Sequence, residues 1–136
     1  MKNQVVTDQA PSPAGAYSQG IVTGNLIFVA GQGPIDPSGG GIVGETIEEQ
    51  TASTLDNIRG VLEAAGSNMA EVVKATVHLA DLADFRAFDR VYAQYFPEPR
   101  PVRTTVGSGL IGIKVEIDVI AVRQTGTKDD SGDASR

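Results

Sequence analysis

Arg103 and Glu116 stand where a strand former gains nothing from charge. Arg103 interrupts PVRTTV (101–106), and Glu116 interrupts the still more apolar KVEIDVIAV (114–122). A guanidinium is a planar fork of donors that grips a carboxylate through two parallel bonds, and Pro101-Val102 gives Arg103 a rigid lead-in. A carboxyl flanked by Val115 and Ile117 can have its proton affinity raised, which suits general acid–base work on a water. Each residue also has a plainer reading. Arg103 can bridge to Glu116 or Asp118 across a sheet, and Glu116 can be a paired or exposed carboxylate. Tyr17, in GAYSQG, either offers its phenol to a ligand or simply packs.

Other candidates carry less. His78 is the single histidine; it has no Ser or Asp at a relay spacing and reads as structural. GGGIVG (39–44) has the glycine content of a phosphate loop without the Lys-Ser/Thr ending or the strand-to-helix setting, so it reads as a turn. No His/Asp/Glu group has metal-ligand spacing, and no cofactor is expected. Cysteine is absent, which excludes disulfides, thiol nucleophiles and thiolate metal sites.

The 136 residues fit one domain with an ordinary hydrophobic core. Net charge is −6, and the basic residues are scattered rather than striped, so nucleic acid is a poor partner. There is no apolar run of about 18 residues to span a membrane. The first residues, MKNQVVTDQAPSPAG, lack the apolar core of a secretory signal. A cytoplasmic location is the expectation.

Positioning elements follow from the pattern. Residues 17–23 and 25–30 read as strands joined at Gly24-Asn25, a hairpin signal. A Gly/Pro-rich loop follows, with a short strand at Ile42-Val43. Thr46-Ile47-Glu48-Glu49 matches a capping box. It opens a helix whose apolar stripe runs through Ile47, Thr51, Leu55, Ile58, Leu62 and Ala65 until Gly66 stops it. Residues 72–79 alternate, with Val73, Ala75, Val77 and Leu79 on one face and Lys74, Thr76 and His78 on the other. A second helix from about Asp84 has an aromatic inner face of Phe85, Phe88, Tyr92 and Tyr95. Pro97, Pro99 and Pro101 end it. Residues 102–107 and 113–122 are the last strands.

Two helices cover one face of such a sheet, giving a two-layer α+β sandwich. The other face is expected to carry Lys74, Thr76, His78, Arg103, Thr105, Glu116, Asp118, Ile120 and Val122. That mixture is too apolar for bare solvent and too charged for a core, which points to burial against other copies of the chain. A ligand cleft at that boundary would bring Arg103 and Glu116 together. Residues 1–124 are expected to form the domain and 125–136 a disordered tail.

Several blocks in order then resemble one family: GAYSQG (15–20), AGQGPIDPSGG (30–40), EQTASTLDNIRGVLEAAG (49–66), VVKATVHLADLADF (72–85), VYAQYF (91–96), PVRTTV and KVEIDVIAV. The chain is similar to the RidA/YjgF reactive-intermediate deaminases, also called the endoribonuclease L-PSP family. The resemblance implies a chorismate-mutase-like α+β sandwich that assembles as a homotrimer around a barrel-like centre, with clefts between subunits. It implies that Arg103 holds a substrate carboxylate and that Glu116 handles the attacking water. It further implies that Tyr17, Gly31, Asp89 and Thr105 line the pocket, Asp89 standing where the family often has asparagine. The implied reaction is cofactor-free hydrolysis of an enamine or imine, such as 2-aminoacrylate, to a 2-oxo acid and ammonia. A non-catalytic trimer that binds small carboxylates and regulates other proteins is the alternative.

Overall fold

The computed structural model describes residues 1–123, so the tail expected from 125 lies outside the described residues. Six strands, β1 (Lys2–Val5), β2 (Gly20–Thr23), β3 (Leu26–Gln32), β4 (Val72–Leu79), β5 (Val102–Gly107) and β6 (Val115–Val122), form one sheet. Their order is β1-β2-β3-β6-β4-β5. All pairings are antiparallel except β4 with β5. Helices α1 (Ile47–Ala64) and α2 (Phe85–Tyr95) cover one face, giving the expected two-layer α+β sandwich.

Helix α1 forms as its sequence dictates. The Thr46 hydroxyl accepts from the Glu49 amide at 3.1 Å, and the Glu49 carboxylate accepts from the amides of Thr46 and Glu45. These two bonds hold the Glu49 carboxyl below its ordinary range, the Glu45 amide contributing most. At the other end Gly66 has φ +82, and Ser67 closes the last turn onto Leu62 at 2.9 Å. Leu55, Ile58, Val61 and Leu62 are fully buried against Ile27, Ala75, Val77, Val115 and Ile117. Helix α2 adds Phe88 and Tyr92, and Phe96 beyond its end, as a run of tilted rings 4.5–5.4 Å apart. It stops at Tyr95, ahead of Pro97, which cannot continue a helix.

The structure departs from the sequence reading at several elements, and the strand expected from Tyr17 begins only at Gly20. Strand β1 pairs at the sheet edge through residues 2–5, where a polar KNQ sequence gives no period-two signal. Ile42 makes only an isolated bridge to Ile35. Within β4, the register against β6 shifts between Val72 and Lys74. That bulge buries Val72 and exposes Val73, the reverse of an uninterrupted alternation.

Candidate functional site

The largest correction concerns Arg103 and Thr105. Strand β5 runs parallel to β4 with Arg103 beside Ala75 and Thr105 beside Val77, and in-register parallel neighbours point to the same face. Ala75 and Val77 are core residues, so Arg103 and Thr105 point toward the helix layer. Glu116 pairs with His78 and Asp118 with Thr76, on the face without helices. Arg103 and Glu116 therefore sit on opposite faces of one sheet and line separate depressions.

The first depression, about 360 Å³, is bordered by Asp89, Tyr92, Ala93, Arg100, Pro101 and Arg103. Here the aromatic face of α2 does more than fill a core. The Arg103 guanidinium lies over the rings of Tyr92, Phe85 and Phe88, at 4.7, 5.4 and 5.6 Å from their centroids. Its Nη1 donates to Asp89 Oδ1 at 2.6 Å. The plainer reading, a bridge to Glu116 or Asp118, is not what forms; the acid that pairs with Arg103 comes from the helix instead. Stacking against three rings fixes the direction of the fork, while four of its five N–H donors have no side-chain partner among the described residues.

Tyr92 completes this depression. It is 2 % exposed, and its hydroxyl finds no hydrogen-bond partner among the described residues. Burial pushes the phenol up to about 12, an effect that the nearby Arg103 charge opposes. At neutral pH it is a protonated donor without an acceptor. Sequence reasoning assigned Tyr92 only to packing; the helical spacing shows which face it occupies but not what lies above that face.

The second depression, about 270 Å³, is bordered by Tyr17, Ala30, Gly31 and Glu116. It depends on a bulge. Val29 pairs with Val119 and Gln32 with Ile117, so β3 carries one extra residue at Ala30-Gly31. The bulge brings Gly31 directly under Glu116, where a Cβ would come 2.5 Å from Oε2 and 3.1 Å from Cδ. Tyr17 is half exposed, and its phenol oxygen accepts from the Ala14 amide at 3.1 Å. The loop leading to Tyr17 is tied down by buried Gln19, whose side chain accepts from the Thr7 amide and donates to the carbonyls of Thr7, Ala10 and Pro11. Asn57 of α1 donates to the carbonyls of Gly33 and Ile35 and anchors the chain just beyond Gly31. No local motif marks Gln19 or Asn57 in the sequence.

Around Glu116, His78 Nδ1 lies 2.7 Å from Ser108 Oγ, a partner thirty residues away that spacing rules cannot find. Burial pushes the Asp118 carboxyl up, against the opposing charges of His78 and Lys74. Among the described residues no group of three His, Asp or Glu side chains could hold a metal ion, and no helix is long and apolar enough to cross a membrane. A roomier hollow of about 630 Å³ runs along the outer flank of α1 past Ser53, Asp56 and Arg59. It contains none of the expected site residues.

Residues 7–123 match the family model described as Endoribonuclease L-PSP. A RutC family protein of Pyrococcus horikoshii is 44% identical over 126 residues, spanning 91% of this chain and all of that relative. The 2-iminobutanoate/2-iminopropanoate deaminase of Salmonella typhimurium is 35% identical over 129 residues, spanning 91% of this chain and all of the enzyme. The crystal structure of E. coli TdcF with bound serine superposes with a TM-score of 0.83 at 32% identity, covering 90% of this chain and 99% of that one.

Proposed function

Because the chain belongs to the RidA/YjgF family, whose model is described as Endoribonuclease L-PSP, we propose that it hydrolyses reactive 2-imino acids to 2-oxo acids and ammonia. The observation that carries this reading is the Arg103 guanidinium, held by three rings at the lip of a depression with most of its donors unengaged. The named activity of the Salmonella relative and the serine held by TdcF support a small ligand bearing an α-carboxylate.

The chemistry asks little of the protein. Arg103 takes the carboxylate and fixes the imine carbon, which removes much of the entropic barrier. As water oxygen bonds to the carbon of the protonated imine and the C=N electron pair moves to nitrogen, Glu116 takes one water proton, leaving a neutral amino group beside the new hydroxyl. Glu116 returns that proton to the amino nitrogen, which leaves as ammonia with the C–N pair. The freed Glu116 carboxylate takes the hydroxyl proton as the carbonyl forms. Addition and elimination leave the overall oxidation level unchanged, so no redox partner enters.

Arg103 and Glu116 belong to different faces, so the working site joins the Arg103 half of one copy to the Glu116 half of another. A homotrimer with inter-subunit clefts is the assembly we propose. The helix-free face supports it: Phe28 is 41% and Val102 67% exposed, beside Ile120 and Val122, more apolar surface than a solvated sheet face carries.

Ammonia release from 2-aminoacrylate generated in situ tests the proposal. Arg103→Ala is expected to lower kcat/KM by about 10²-fold or more. Glu116→Gln is expected to abolish turnover while leaving binding of 2-oxo acids, measured by calorimetry, largely intact. Ligand binding with no turnover in the parent protein would favour the non-catalytic carboxylate binder. Full activity of Arg103→Ala would overturn the assignment of that residue.

A further inference from the structure

We infer that Asp89 makes the site a charge filter, admitting 2-imino acids with neutral or cationic side groups and rejecting those with a second carboxylate. The inference rests on the proposed function for the identity of the substrate and on the geometry around Arg103 for the selectivity. Asp89 Oδ1 takes Arg103 Nη1 at 2.6 Å, so the guanidinium already has one counter-ion. Turning away to meet a ligand alone would break its contacts with Phe85, Phe88 and Tyr92, whose ring centroids lie 4.7–5.6 Å from its Cζ. An incoming carboxylate must therefore share the fork with Asp89, which places two anions roughly 4–6 Å apart on one cation.

The remaining residues do not relieve this crowding. Arg100, the other cation at the rim, is itself paired with Glu98 at 3.1 Å. Tyr92 contributes a buried, unpartnered hydroxyl that can donate to a carboxylate oxygen but adds no charge. Asp89 and Arg103 together sum to zero. A zwitterion-like ligand, with carboxylate toward Arg103 and a protonated imine or cationic side group toward Asp89, matches that sum. A ligand with a side-chain carboxylate adds a third anion to a hollow of about 360 Å³. Asp89 is 46% exposed, so solvent moderates the penalty without removing it.

The test compares kcat/KM for imines made in situ by amino-acid oxidases from a neutral, a basic and an acidic amino acid. The parent protein is expected to favour the first two. Asp89→Asn, nearly the same shape, is expected to raise the acidic-to-neutral ratio by about five- to tenfold at low ionic strength. The parent's own discrimination should shrink as added salt screens the pair. A ratio unmoved by both the substitution and salt would overturn the inference. Calorimetry with 2-oxopentanoate and 2-oxoglutarate, equal in carbon number and differing by one carboxylate, reads the filter without turnover. Preference for the monoanion in the parent, lost in Asp89→Asn, sustains it even if no imine is hydrolysed. Equal binding of the two, or binding of neither, overturns it.

Discussion

Gly31 has no side chain because the Glu116 carboxylate already occupies the space a Cβ would take. Oε2 would be 2.5 Å from that atom, well inside contact distance, and all three nearest atoms belong to the Glu116 side chain, so that side chain is what must move. Gly31→Ala is therefore expected to swing Glu116 out of line. The predicted result is a loss of about 10²-fold in kcat, the usual cost of a misplacement near 1 Å, with the circular dichroism spectrum unchanged. Activity within a few-fold of the parent would show that Glu116 does not need this position. At this scale the sequence was partly legible. Arg103, Glu116 and Tyr17 stand out as polar groups in apolar or aromatic settings. Tyr92 did not, because a buried tyrosine at helical spacing looks like core until the guanidinium above it is known. Asp89 as the partner of Arg103 was equally invisible, since their contact crosses from a helix to an edge strand.

Elements were more legible than residues where the signal is local. The capping box, apolar stripe and glycine stop of α1 act within a few residues of one another, and each appears in the structure as read. Thr46→Ala removes the acceptor for the Glu49 amide and is expected to cost about 1 kcal/mol of stability, measured by denaturant unfolding. Catalysis should be unaffected, since Thr46 borders neither depression. A loss much below that value would mean the Glu49 carboxylate alone satisfies the first turn. Strand faces are a different matter. The direction of Arg103 depends on β5 returning parallel to β4 after α2, a property of the crossover rather than of VRTTVG. Its valines face outward, so the usual rule of apolar residues inward selects the wrong side. The bulges in β3 and β4 break alternation in the same non-local way.

For the whole molecule, the decisive fact is that one chain places Arg103 and Glu116 on opposite faces of its sheet. Arg103 with its rings and Asp89 lies toward the helices, and Glu116 with Gly31 and Tyr17 lies on the bare face. The mixed character of that face already points to self-association, and the corrected position of Arg103 strengthens the case. Had both groups shared a face, one chain could have held a complete site. If neighbouring copies complete each other, Arg103→Ala and Glu116→Gln should each be inactive alone but rescue one another. Unfolded together in equal amounts and refolded, they form cyclic assemblies in which about one cleft in four pairs an intact Arg103 with an intact Glu116. Ammonia release from 2-aminoacrylate by the mixture is predicted to recover to about a quarter of the parent rate. A mixture that assembles normally yet stays as inactive as either variant would contradict the shared site.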